Sequence, residues 1–351
     1  MSVYLLVLCV ALLQQEGRAS PDPPGCNSSE AVRVAEEVLE QINQDRTNGY
    51  ILSLNRLYDL SHTPEKDKDG SLYNLTIDVI ETKCHIISRT PWKQCRVRHI
   101  SESPVYGECE VSAFVDTHVK LQSYSCVLHE VPASAIGRRC PDCPTAVNLD
   151  EPAVKETANL SLQRFNEESR LANYFTLENI TKASSQWVFG PSYFVEFTIV
   201  ETVCSNKTDA SELSSCPPMD CQFAHRGLCV GSYMRRKEML VHKPSAGNKD
   251  SSFQERNSVF VKCEIYEPQA AVVEEQAHAK ADSGHTEHQH HNHTHLHPHE
   301  HMHSATPSSD SRPRGSLGTV VEQPASPRSA PAASSCPGPC RHNLGIEELI
   351  L

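Results

Sequence analysis

The sequence predicts an α+β protein: two tandem units, each a single helix laid on an antiparallel sheet, joined by a cysteine-clamped linker and followed by a disordered His-rich tail. Three observations carry this. The segment IDVIETKC at 77–84 recurs as FTIVETVC at 197–204, and Cys109 and Cys229 repeat the same offset, each two residues after a glycine, Gly107 or Gly227. An amphipathic helical pattern opens each copy, at Ala31-Val32 and again at Ala153-Val154. From about residue 267 apolar residues thin out, Pro and Ser accumulate, and eleven His fall between His278 and His303.

The elements follow in order. Val3 to Leu13 is an apolar run too short to span a bilayer, and Gly17 and Ala19 suit a cleavage before Ser20, so 1–19 reads as a signal peptide. The first unit covers 20–130. Val34, Val38 and Ile42 recur every four residues, with Ala35 and Leu39 widening the stripe, and Asn48-Gly49 ends the helix in a turn that tolerates positive φ. Strands are expected at Tyr50 to Tyr58, Leu72 to Cys84, 105–115 and 120–129. Residues 131–149, rich in Pro, Ala and Ser, read as a linker outside either core. The second unit, 150–266, repeats the plan with a helix at 152–168 and strands near 174–183, 192–204, 227–237 and 257–266. The remainder, 267–351, reads as tail, with 267–335 lacking the apolar residues needed for order and a cysteine anchor near the end.

Composition narrows the function. A net charge of −12 disfavours nucleic acid and anionic membrane as partners. No later segment is apolar enough for a membrane anchor, so the sequence predicts a secreted, extracellular protein. Sequons at Asn27, Asn74, Asn159, Asn179, Asn206 and Asn292 fit a glycoprotein. Loss of Cys9 with the leader leaves fourteen cysteines, an even number that favours full pairing in an oxidising compartment. The chain has no His-Glu-x-x-His, Gly-x-Ser-x-Gly or Walker-type loop, and an enzyme is not expected.

Two motifs stand out before any family is considered. Cys140-Pro141-Asp142-Cys143-Pro144 has the spacing of a redox dithiol or half a zinc site. No βαβ setting surrounds it, and no second ligand pair lies near, which leaves two readings open: a staple that stiffens an exposed linker, or a rigid mount for Asp142. The alternating tract His288, His290, His291, His293, His295, His297, His299, His301 and His303 offers many imidazoles on a flexible chain. It is either a solvated spacer or a weak site for zinc or another divalent metal.

The residues INQDRTNGY (42–50), DVIETKCH (78–85), CPDCP (140–144), SSQWVFGPSYFVEF (184–197) and CPG (336–338) resemble the fetuin family, in that family's order and over nearly the whole chain except the His tract. The resemblance implies two cystatin-like domains and the disulfides Cys26–Cys336, Cys84–Cys95, Cys109–Cys126, Cys140–Cys143, Cys204–Cys216 and Cys229–Cys263. Cys221 and Cys340 are extra and are expected to pair with each other; the alternative joins Cys26 to Cys340 and Cys336 to Cys221. The resemblance also implies inhibition of an astacin-type zinc metalloprotease, with Asp142 as a ligand to the target's catalytic zinc. A carboxylate ligates zinc well, and one clamped between prolines in a disulfide ring has little entropy left to lose on docking.

Gln186-Trp187-Val188-Phe189-Gly190 matches the Gln-x-Val-x-Gly hairpin with which cystatins wedge into cysteine proteases. The only Pro-Trp, Pro91-Trp92, sits in the other unit, so that wedge is incomplete. Trp187, Phe189 and Tyr193 are read instead as an exosite beside Asp142, against the plain alternative of a hairpin with Trp187 packed inward. A carrier of divalent metal or calcium phosphate is the other alternative. The strand SLYNLTIDVIETKC offers only Asp78 and Glu81 for mineral. No cofactor is required in any of these readings.

Overall fold

The computed structural model describes residues 25–65, 69–188, 190–209, 215–220, 223–234, 259–272 and 316–343. The first unit comprises helix α1 (Ser29–Asp45) and strands β1 (Tyr50–Pro64), β2 (Ser71–His85), β3 (Val105–Val115) and β4 (Val119–Glu130). After helix α2 (Ala133–Arg139) and the two-residue strand β5 (Thr145–Ala146) comes the second: helix α3 (Pro152–Glu168) and strands β6 (Asn173–Gln186), β7 (Ser192–Ser205), β8 (Arg226–Met234) and β9 (Val259–Tyr266). A last strand, β10 (Gly318–Glu322), returns to the first unit, giving sheet orders β1-β2-β3-β4-β10 and β5-β6-β7-β8-β9.

Local chemistry explains each helix–sheet layer. The Ser28 hydroxyl accepts from the Ala31 amide at 3.1 Å and caps α1, whose buried stripe is the predicted Val34, Ala35, Val38, Leu39 and Ile42. At the helix end a buried Asn43 bonds both the amide and the carbonyl of Leu52, each at 2.9 Å, fixing helix to strand. Asn166 does the same for Phe175 in the second unit, at 2.8 and 3.0 Å. Sequence periodicity is silent about these asparagines. The repeated glycines are also explained: a Cβ at Gly107 would lie 2.2 Å from the Val127 carbonyl, and one at Gly227 would lie 2.8 Å from that of Glu264. Strands must approach closely there, beside Cys109–Cys126 and Cys229–Cys263, each with 4.0 Å between Cα atoms.

The structure also joins Cys26 to Cys336, Cys84 to Cys95, Cys140 to Cys143 and Cys204 to Cys216. Cys340 is exposed and bonds no other described cysteine, whereas Cys221 lies outside the described residues.

Two expectations need correction. The linker is not outside the cores: Ala135 and Ile136 of α2 are buried in a cluster with Ile80, Ile100, Tyr106 and Val131, and β5 pairs with β6. Nor are residues 316–335 without structure. β10 lies parallel on β4 from Gly318↔Tyr124 to Glu322↔Leu128, and the chain then crosses the outer face of the first sheet. Low apolar content misled because this strap is held by main-chain hydrogen bonds and charge. Arg328 forks onto Asp78 at 2.6 and 2.9 Å, reaches Glu108 at 3.0 Å and stacks on Tyr58 with 3.2 Å to the ring centroid. Beyond Cys336 the Gly338 amide donates to the Leu57 carbonyl at 2.8 Å, and the Arg341 amide to the Asn55 carbonyl at 2.8 Å.

The two sheets are tied through Glu196 of β7. Arg98 clamps it in a bidentate pair at 2.7 and 2.8 Å, and the Tyr50 hydroxyl donates to it at 2.6 Å. Arg98 also donates to Glu81 at 2.8 Å, which Lys182 of β6 reaches at 2.6 Å. Burial opposes ionisation of Glu196, but Arg98, Tyr50 and Lys182 outweigh it and hold its carboxyl below the usual range. Burial, with Glu196 adding, drives the Tyr50 hydroxyl well above its ordinary range. His85, edge-on to Tyr50 at 5.2 Å, is pushed down by burial to about 4, with Arg46 and Arg98 opposing its protonation and Glu196 and Glu81 favouring it.

Two predictions follow from these contacts. Arg328→Ala leaves the 1 % exposed Asp78 with Arg56 alone and should lower the stability of the first unit by about 3 kcal/mol, read by urea unfolding. Because the native pKa values of His85 and Glu196 both lie below their unfolded ones, their stabilisation is complete above pH 6.5 and is lost as pH falls. The melting temperature should therefore decline from pH 6.5 towards about 4, and His85→Gln should flatten that slope.

Candidate functional site

The site grows out of the linker. Helix α2 is held by its buried Ile136, whose carbonyl accepts from the Cys140 amide at 2.8 Å, so the chain leaves the helix at a fixed point. The Cys143 amide closes back on the Cys140 carbonyl at 3.1 Å, and the disulfide spans 5.3 Å between Cα atoms. Pro141 and Asp142 thus occupy the two corners of a tight turn, an arrangement that proline's fixed φ favours. The Asp142 side chain is exposed, and no described residue bonds its carboxylate. Half-buried Pro144 leads into β5, where Thr145 pairs with Ser185 and Ala146 with Ser184.

That short pairing decides what the loop sits beside. One residue beyond Ser185 the β6–β7 hairpin begins its tip, and the Gln186 side-chain amide donates to the Asp142 carbonyl. Trp187 is 67 % exposed and Val188 44 %, so the inward-packed reading of Trp187 does not hold. Gly190 takes φ 117°, a conformation that a side chain would strain. Phe189 lies outside the described residues. Tyr193 is half-buried and packs towards the second core, supporting the tip from below. The structure therefore brings Asp142, Gln186, Trp187 and Val188 to one end of the second sheet. Two residue pairs, Thr145–Ser185 and Ala146–Ser184, do this, and their polar sequence carries no strand signal.

The rival readings meet specific obstacles. Trp92 is 6 % exposed and packs in the first core, so Pro91-Trp92 is not a projecting second wedge beside the hairpin. Asp78 and Glu81, the mineral candidates, are buried and neutralised by Arg56, Arg328, Arg98 and Lys182. Among the described residues no group of three or more His, Cys, Asp or Glu is placed to hold a metal, and no helix is long and apolar enough to cross a membrane. The His tract, the leader 1–19 and the sequon Asn292 lie outside the described residues.

A helix across an antiparallel sheet, with an exposed Gln-Trp-Val tip, defines a cystatin-type domain, and the cystatin domain family matches residues 142–235. Among relatives, fetuin-B of Bos taurus is 42 % identical over 247 residues, covering 66 % of this chain and 62 % of that protein. Fetuin-B of Homo sapiens is 35 % identical over 283 residues, covering 75 % and 72 %. The solved complex of mouse fetuin-B with crayfish astacin is 36 % identical, with TM-score 0.56 over 71 % of this chain and 69 % of that one. The inhibitory complex of human meprin beta with mouse fetuin-B is 35 % identical, with TM-score 0.56 over 70 % and 74 %. This chain belongs to the fetuin family.

The Gln186 contact can be tested directly. Gln186→Ala should accelerate amide hydrogen exchange in 140–144 by about tenfold, the effect of losing one side-chain hydrogen bond, while β6 and β7 stay protected.

Proposed function

We propose that this chain is a secreted glycoprotein inhibitor of astacin-type zinc metalloproteases, not an enzyme, acting after loss of the signal peptide 1–19. The observation that carries the proposal is Asp142: a free carboxylate in a disulfide ring, held beside an exposed Trp187 by β5 and Gln186. Two solved complexes of mouse fetuin-B, with astacin and with meprin beta, support the class of target.

Docked at a catalytic zinc, Asp142 takes the position from which bound water would attack, and the nucleophile is lost. Trp187 and Val188 supply rigid apolar contact beside it, with Phe189 and Gly190 completing the tip and Tyr193 bracing it. Pro141, Pro144 and the Cys140–Cys143 bridge limit the loop's freedom, so little ordering entropy is lost on binding. The inhibitor needs no cofactor of its own. The His tract is a separate, weak site for zinc or another divalent metal.

Asp142→Ala should raise the inhibition constant against an astacin-type protease at least tenfold, about 1.4 kcal/mol. An unchanged constant removes Asp142 from the mechanism. Deletion of 278–303 should leave inhibition intact and abolish retention on immobilised nickel; lost inhibition would make the tract the agent.

A further inference from the structure

The strap 323–333 divides the outer face of the first sheet. On one side Arg328 lies over Asp78 and Glu108, and with Tyr58 and His129 they line a pocket of about 420 Å³. On the other a groove of about 520 Å³ stays open, rimmed by Ala332, a size within the roughly 300–1,000 Å³ of small-molecule sites. Its floor is a cross-strand row set by register: Ser61 opposite Asn74, Asn74 opposite Ser112, Ser112 opposite Ser123. With strands about 4.8 Å apart, the row runs about 14 Å. Thr76 and Glu110 stand in the next row. None of these six side chains is engaged by another described residue, and Asn74, in the middle of the row, is exposed.

The duplication supplies an internal comparison. The matching row of the second sheet is Ser184, Phe194, Ser232 and Phe260, the last 57 % exposed. The units differ at two of the four positions: the first has Asn74 and Ser123 where the second has the rings of Phe194 and Phe260, whereas Ser61 and Ser112 match Ser184 and Ser232. Asn74-Leu75-Thr76 is moreover an N-glycosylation sequon. On a sheet face, an oligosaccharide on a central strand needs small neighbours on both sides, and Ser61 and Ser112 are small. Serine hydroxyls both donate and accept, and Glu110 accepts, which matches the hydroxyl and acetamide groups of an N-linked core.

We infer that the groove is a cradle for the oligosaccharide attached at Asn74. The first sugars lie along the Ser61–Ser112–Ser123 row, bonded to those hydroxyls and to Glu110, with the strap as one wall. The glycan becomes part of the first unit's surface and covers its outer sheet face.

The test uses the full chain secreted from animal cells that attach N-glycans. Peptide mapping should find Asn74 occupied; an unmodified Asn74 overturns the inference. A glycosidase that hydrolyses the sugar–asparagine bond should release the Asn74 glycan more slowly from native than from denatured protein. In the Ser61→Ala, Ser112→Ala, Ser123→Ala variant native release should be about tenfold faster than in the wild type, about 1.4 kcal/mol of lost contact, and equal after denaturation. Equal native rates would make the protection purely steric and refute the cradle. Ser112→Ala alone should move the rate in the same direction, which keeps the test decisive if the triple variant does not fold.

Discussion

The structure turns on the grip of Arg98 and Tyr50 on Glu196. A carboxylate in the middle of a strand is expensive to bury, and the charge is tolerated only because a planar guanidinium and a hydroxyl meet it with full geometry. Glu196 lies four residues from the start of β7, and Lys182 answers from β6 across to Glu81. The two sheets are therefore fixed relative to each other just below the hairpin tip. The linker, whose Ile136 is buried on the first unit and whose Thr145-Ala146 pairs with the second, inherits a fixed path. The position of Asp142 follows from that path.

The C-terminal strap extends the same logic. Charge and main-chain hydrogen bonds, with partly buried Val320 and Cys336 packed against the first core, hold residues 316–343 on the first sheet, and Cys26–Cys336 closes the arrangement across 310 residues of sequence. By occupying Asp78 and Glu108, Arg328 removes the carboxylates a cation surface would need. The groove on the other side of the strap is rich in hydroxyl groups, has Glu110 beside them and carries a sequon. One sheet face is thereby split into an ion-paired half and a hydroxyl-rich half.

Much of this was legible in the sequence. The two long helices α1 and α3 and the eight long strands follow from periodicity and from the duplication around Cys84 and Cys204, whereas the short helix α2 lies in a segment read as linker. What was not legible is polar or short. β5 has two residues, β10 sits in a segment poor in apolar side chains, and β1 runs past Tyr58 to Pro64 where alternation has ceased. In the site, Asp142 and the hairpin around Trp187 were readable as neighbours through the family resemblance. The bond from Gln186 to the Asp142 carbonyl was not, because it depends on cross-strand pairing between Thr145-Ala146 and Ser184-Ser185. Periodicity reports which residues face a core; it carries no information on which polar loops a sheet edge brings together.

In the proposed mechanism Asp142 enters the coordination sphere of a target's metal. The most direct measurement is the visible absorption spectrum of an astacin-type protease whose zinc has been replaced by cobalt, titrated with this protein. The cobalt bands should change, saturate together with inhibition, and stay unchanged with Asp142→Ala. Inhibition by the unaltered protein with the cobalt bands unchanged would contradict that mechanism.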